Sequence, residues 1–136
     1  MNGKQLPKLN QNRQDHACLF DKATSSMYVM GGLYNNGVLD STEKWTLGTD
    51  SWIPLSSAKL PEPLMGSRAV PANSNEYIGY IAGGYRGYVN GIPNYSSKIW
   101  GLKKSNMKWT QLTKTMKIGR SDHSLLNVPY DEVLGC

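Results

Sequence analysis

The stretch SMYVMGGLYNNG, residues 26–37, carries an apolar segment into the pair Gly31-Gly32, and GYIAGGYRGYVNG, residues 79–91, repeats the phrase around Gly83-Gly84. The pairs lie 52 positions apart, and a fixed period of roughly 20–50 residues marks stacked or radial repeats. Other landmarks recur around them in the same order. An arginine opens a strand-like run in RQDHACLF (13–20), RAVPA (68–72) and RSDHSLLNV (120–128). A serine-led strand follows each glycine pair, DSTEKWTL at 40–47 and SSKIWGLKK at 96–104, and then a turn and a lone tryptophan in DSWIPL (50–55) and MKWTQL (107–112).

Period-2 alternation across the first unit predicts four short strands at 16–21, 26–32, 40–47 and 51–55. Four antiparallel strands per unit is the plan of a propeller blade. Composition agrees with an all-β chain of 136 residues, because 14 Gly, 7 Pro and 8 Tyr against a single Phe favour short strands separated by turns. The 39% hydrophobic and 18% charged residues suffice for a modest core and exclude a disordered chain.

These motifs resemble the kelch family: a Gly-Gly pair closing the second strand, an aromatic in the third and a tryptophan in the fourth, from Arg13 to Val128. The resemblance implies kelch-like β-propeller blades of four antiparallel strands in an incomplete ring. Residues 1–12 would be the tail of a preceding blade, 13–67 the first blade, 68–119 the second, and 120–136 the first strand of a third. Two blades cannot close a ring, so the sequence reads as a slice of a longer propeller, an obligate oligomer or a small open sandwich, with the slice favoured.

Gly31, Gly32, Gly83 and Gly84 are expected to be scaffold, ending a buried strand at a tight turn. Trp52 and Trp109 are expected to fill the wedge between blades, with Trp45 and Trp100 together at the third-strand position where the family usually has tyrosine. Asp15-His16 and Asp122-His123 invite a base-and-orienter reading. Neighbours in a strand point to opposite faces, however. His16 and His123 are therefore read as structural, with no catalytic or metal-binding residues expected.

The resemblance further implies that the arginine opening the first strand can lie near the mouth of the central channel and grip acidic peptides. Arg13, Arg68 and Arg120 match that position. The segment YRGYVNGIPNYS (85–96) reads as the longest loop, a tyrosine-rich rim of the kind found at adaptable recognition surfaces. Its shorter counterpart, LYNNGVLD (33–40), has Asn36-Gly37 as its turn. The candidate partner-binding set is Arg13, Arg68, Arg120, Tyr34, Tyr85, Arg86, Tyr88 and Asn90.

The expected function is a non-catalytic kelch-repeat interaction module that presents loop residues to a protein or acidic peptide. The alternatives are a piece of a kelch-type enzyme, of the oxidase or sugar isomerase class, or of a ubiquitin-ligase substrate adaptor. Self-association, or the rest of a longer propeller chain, is a further expected partner. The net charge of +5 comes from scattered basic residues rather than a patch, which argues against nucleic acid. No run of 18 apolar residues suggests a membrane span, and the first 15 residues carry no apolar core of a secretory signal. These features imply the cytoplasm by default and the cell exterior for a fragment. Cys18 and Cys136 are too few and too far apart for a disulfide framework or a zinc site, so no cofactor is expected. Whether they bridge is open, and the sequon Asn94-Tyr95-Ser96 matters only outside the cytosol.

Overall fold

The computed structural model describes residues 5–127. The chain runs through β1 (Ala17–Asp21), β2 (Ser26–Met30), β3 (Leu33–Tyr34), β4 (Gly37–Val38), β5 (Thr42–Thr46) and β6 (Ile53–Pro54). The second half repeats the order with β7 (Arg68–Pro71), β8 (Tyr77–Ala82), β9 (Tyr85–Val89), β10 (Ile92–Tyr95), β11 (Ile99–Lys103) and β12 (Trp109–Gln111). Two four-stranded antiparallel sheets result, β1-β2-β5-β6 and β7-β8-β11-β12, and among the described residues they close no ring. The first sheet lies within two residues of the four expected strands. Burial alternates along β1, where Ala17 and Leu19 are buried while Cys18, unbridged among the described residues, and Phe20 face outward.

The core lies between the sheets. Leu19, Tyr28 and Met30 of the first sheet pack in one apolar cluster with Ile81, Trp100, Leu102 and Trp109 of the second, and Leu60 and Leu64 of the connection seal it. Burying side chains of this size contributes about 1.5–3 kcal/mol each. Gly79 lets the sheets approach closely: a Cβ there would lie 2.5 Å from Leu19. A second, smaller cluster of Val29, Trp45 and Trp52 lies on the other face of the first sheet.

The segments read as loops at 33–40 and 85–96 are instead built around β-hairpins. Leu33 pairs with Val38 and Tyr34 with Gly37, so the turn residues are Asn35-Asn36, one position earlier than expected, at φ 46° and 63°. Val89 pairs with Ile92 around Asn90-Gly91, at φ 52° and 77°. Left-handed φ at both central residues fits the type I′ turn that matches strand twist, and asparagine and glycine tolerate it best.

Hydrogen bonds fix how the repeats align, and they correct two expectations. The Gly32 amide donates to the Leu64 carbonyl at 2.8 Å, and the Gly84 amide to the Arg120 carbonyl at 2.8 Å. Leu64 thus holds the backbone place of Arg120. Two residues on, Gly66 donates to Asp15 and Asp122 to Gly66, and all three share a left-handed φ of 52–63°. Arg13, Leu64 and Arg120 are therefore the equivalent residues. Arg68, opposite Ala82, instead matches Ala17, opposite Met30. The sequence match failed because RAVP offers the nearest arginine to a repeat that has leucine at the equivalent position. Likewise Trp100 pairs with Ile81, as Glu43 pairs with Val29, whereas Trp45 matches Leu102 opposite Gly79. Trp45 and Trp100 do not share one position. Trp52 and Trp109 do, and they donate to the carbonyls of Pro7 and Ala58 at 2.9 and 2.8 Å.

The strand expected at 120–128 does not form over its described part, 120–127. The segment makes isolated bonds to Gly84 and Gly66, and no ladder, which is what a strand requires, is available to it among the described residues. Val128 to Cys136 lie outside the described residues, so Cys136 and its pairing do too. Leu126, at 81% exposure, and Leu47, at 68%, leave apolar surface open. Light scattering at tens of micromolar is expected to give a mass above the 15.1 kDa of one chain, lowered by Leu47→Asp with Leu126→Asp. A stable wild-type monomer would count against this.

Candidate functional site

Both hairpins leave their sheets at the same repeat position, immediately after the glycine pair, and a groove of about 610 Å³ lies between them. Leu33, Asn36 and Val38 form one wall. Tyr85, Tyr88 and Tyr95 dominate the other, with Met65 and Asp122 between the walls. Tyr85 meets Tyr88 edge-on, centroids 5.8 Å apart at 83°, and Tyr95 at 5.5 Å. Tyr88 is 71% and Tyr95 45% exposed, so much of the cluster's aromatic surface is open to solvent. Burial first, then Tyr88 and Tyr95, raise the Tyr85 phenol above its ordinary value and keep it a neutral donor.

The structure gathers only part of the expected binding set here. Tyr85 and Tyr88 line the groove. Tyr34 lines a separate cavity of about 350 Å³ on the far side of the first hairpin, and Asn90 forms the tip of the second. Arg86 points to Glu62, its Nε 3.2 Å from the carboxylate. Glu62 is buried, and it also accepts from Ser96 Oγ at 2.7 Å and Lys98 Nζ at 3.3 Å.

Arg13 is corrected as a binding residue. Its side chain is fully enclosed, with Nη1 donating to the carbonyls of Gly31 and Ser41 at 2.8 and 3.1 Å and Nη2 to Ser41 Oγ and Glu43. The fork ties the end of β2 to β5 and is closed to a partner's carboxylate. Arg120 holds the equivalent place but is exposed, and among the described residues the one hydrogen bond of its guanidinium goes to the Ile118 carbonyl, at 3.4 Å. Arg68 lies 3.9 Å from Asp122, an exposed and weak pair. The arginines therefore do not converge on one ligand.

Glu43 completes the enclosed pair. Burial favours its neutral form, yet hydrogen bonds from the Asn10 amide, Arg13, the Asn10 side chain and the Gln11 amide prevail and lower its pKa. The second repeat has Leu64 and Trp100 at these two places, both in the main apolar cluster. His16 packs beside Gly32 and His123 beside Gly83. Desolvation, then nearby arginines, lower both imidazoles below the ordinary 6.5. Among the described residues no three His, Cys, Asp or Glu side chains gather as a metal site would require.

Of the groove residues, the candidate set named Tyr85 and Tyr88; Tyr95 lay in the segment read as a rim without being singled out, and Met65 and Asp122 were not placed in a binding site. Regular pairing outward from the Asn90-Gly91 turn would set Tyr95 opposite Arg86, and a register shift between Pro93 and Tyr95 brings it opposite Tyr85 instead, so residue type and turn position alone do not place it. Met65 and Asp122 come from the connections before the second sheet and after it, and only the docked sheets place them there.

No family model matches this chain. Over 86 residues it is 35% identical to Beta-scruin of Limulus polyphemus, a kelch-repeat protein. The match covers 61% of this chain and 9% of that protein's length. With the antiparallel four-stranded sheets, it supports a kelch-like β-propeller architecture in general terms.

Proposed function

We propose that this chain is a non-catalytic protein-interaction module that holds an extended segment of a partner in the groove between its hairpins. The observation that carries the reading is the tyrosine wall of Tyr85, Tyr88 and Tyr95, standing on the second of two type I′ hairpins and facing the first across the groove. Tyrosine supplies a large amphipathic contact surface at low entropic cost, and a groove with such anchors suits a peptide better than a small polar substrate. The similarity to a kelch-repeat protein supports an interaction role as a class.

Selection of random nonapeptides on the immobilised chain tests this. Peptides retained by the wild type are expected to lose roughly 1–3 kcal/mol of affinity to Tyr88→Ser. The Asn35→Gly variant, at the tip of the other hairpin, should retain them. Retention by Tyr88→Ser equal to wild type, or no enrichment at all, would overturn the reading.

A further inference from the structure

The groove differs in charge from the rest of the molecule. The chain carries a net +5, yet among the described residues Asp122 is the one charged residue lining this cavity. Its side chain is 67% exposed and accepts from Ser121 Oγ at 2.9 Å. The nearest cation, Arg68, stands 3.9 Å away, beyond hydrogen-bonding distance. Arg86 rises from the same hairpin as the tyrosines but is held by Glu62, and Lys98 is held there as well. The groove thus offers aromatic faces, a thioether and one accessible carboxylate.

Resting on the interaction reading above, we propose that the segment bound in this groove carries an arginine or lysine, set among proline or aliphatic residues, whose cation meets Asp122. A cation gains twice in this position. It forms a charge-assisted bond to the carboxylate, and it lies against tyrosine faces whose quadrupole attracts positive charge. Proline fits the remaining wall because an extended polyproline segment packs its rings on aromatic side chains at little entropic cost. An acidic segment would meet Asp122 with like charge; Arg86 already has its carboxylate in Glu62, and Arg68, 3.9 Å from Asp122, does not itself line the groove.

The test uses three fluorescein-labelled nonapeptides of alternating proline and leucine that differ only in a central Arg, Ala or Glu, titrated by fluorescence anisotropy. The Arg peptide is expected to bind the wild type about 10-fold more tightly than the Glu peptide, a difference of about 1.4 kcal/mol. Asp122→Asn should bring the two within about 3-fold with the melting temperature unchanged, because asparagine accepts the left-handed backbone at this position. Tyr88→Ser should weaken all three. Equal or tighter binding of the Glu peptide, an undiminished Arg preference in Asp122→Asn, or no binding of any of the three overturns the charge assignment. Should library peptides still depend on Tyr88 while the charge series is flat, the interaction reading stands and this inference alone falls.

Discussion

Gly31→Val is expected to destabilise the protein by about 4 kcal/mol, the sum of two costs of roughly 1–3 kcal/mol each, from a strained backbone and from overpacking. Gly31 sits at φ 65°, where a β-branched side chain is disfavoured, and a Cβ would come within van der Waals exclusion of the Leu64 carbonyl oxygen. That oxygen accepts the Gly32 amide and so fastens the first sheet to the connection leading into the second. The neighbour cannot yield without loosening the join between the sheets. Gly83 faces the Arg120 carbonyl in the same way, so the requirement belongs to the repeat. Gly91 supplies the control: it too has positive φ, but nothing lies within 4 Å of a Cβ there. Gly91→Asn should change stability by less than about 1 kcal/mol. Urea denaturation of the two variants decides the matter, and similar midpoints for both would refute the claim.

Arg13→Ala is expected to cost about 3–5 kcal/mol, the penalty for leaving one member of a buried ion pair without its partner. Glu43 would keep its amide donors from Asn10 and Gln11 but lose the cation 2.9 Å away. The protein contains its own comparison, since the second repeat fills these places with Leu64 and Trp100. Arg13→Leu combined with Glu43→Trp should therefore be more stable than Arg13→Ala alone, because replacing both ions removes the desolvation cost together with the attraction. A double variant no better than the single one would show that the first sheet cannot adopt the apolar solution.

The pH dependence follows from the direction of the Glu43 shift. Its pKa in the folded state lies below the ordinary 4.5, so the folded protein holds the proton less tightly than the unfolded chain. The resulting stability is fully present above about pH 4.5 and is lost as the pH falls through the folded value. The stability difference between wild type and Glu43→Gln should be constant from pH 7 to 5 and shrink below that. A difference independent of pH down to 3 would exclude this role for the carboxylate.

The sequence determined the local elements. Alternation placed β1, β2 and β5 within two residues, and the recurring glycine pair with its following tryptophan announced two like sheets, because strand periodicity and turn chemistry act over a few neighbouring positions. The second hairpin was equally legible in Asn90-Gly91, though tyrosine and glycine content suggested a loop. Tertiary structure decided what depends on partners distant in the chain. Arg13 and Arg120 sit in the same R-x-D-H motif, yet one is enclosed by Gly31, Ser41 and Glu43 while the other is exposed. Motif identity cannot distinguish them, since enclosure depends on whether a sheet stands opposite. Arg68 looked equivalent in sequence and was displaced by register, which ladder hydrogen bonds set and residue type does not. The groove arose in the same way: its tyrosines come from one hairpin, but Met65 and Asp122 reach it from connections 57 residues apart, and only the packing of Leu19, Tyr28 and Met30 on Ile81 and Leu102 brings those connections side by side.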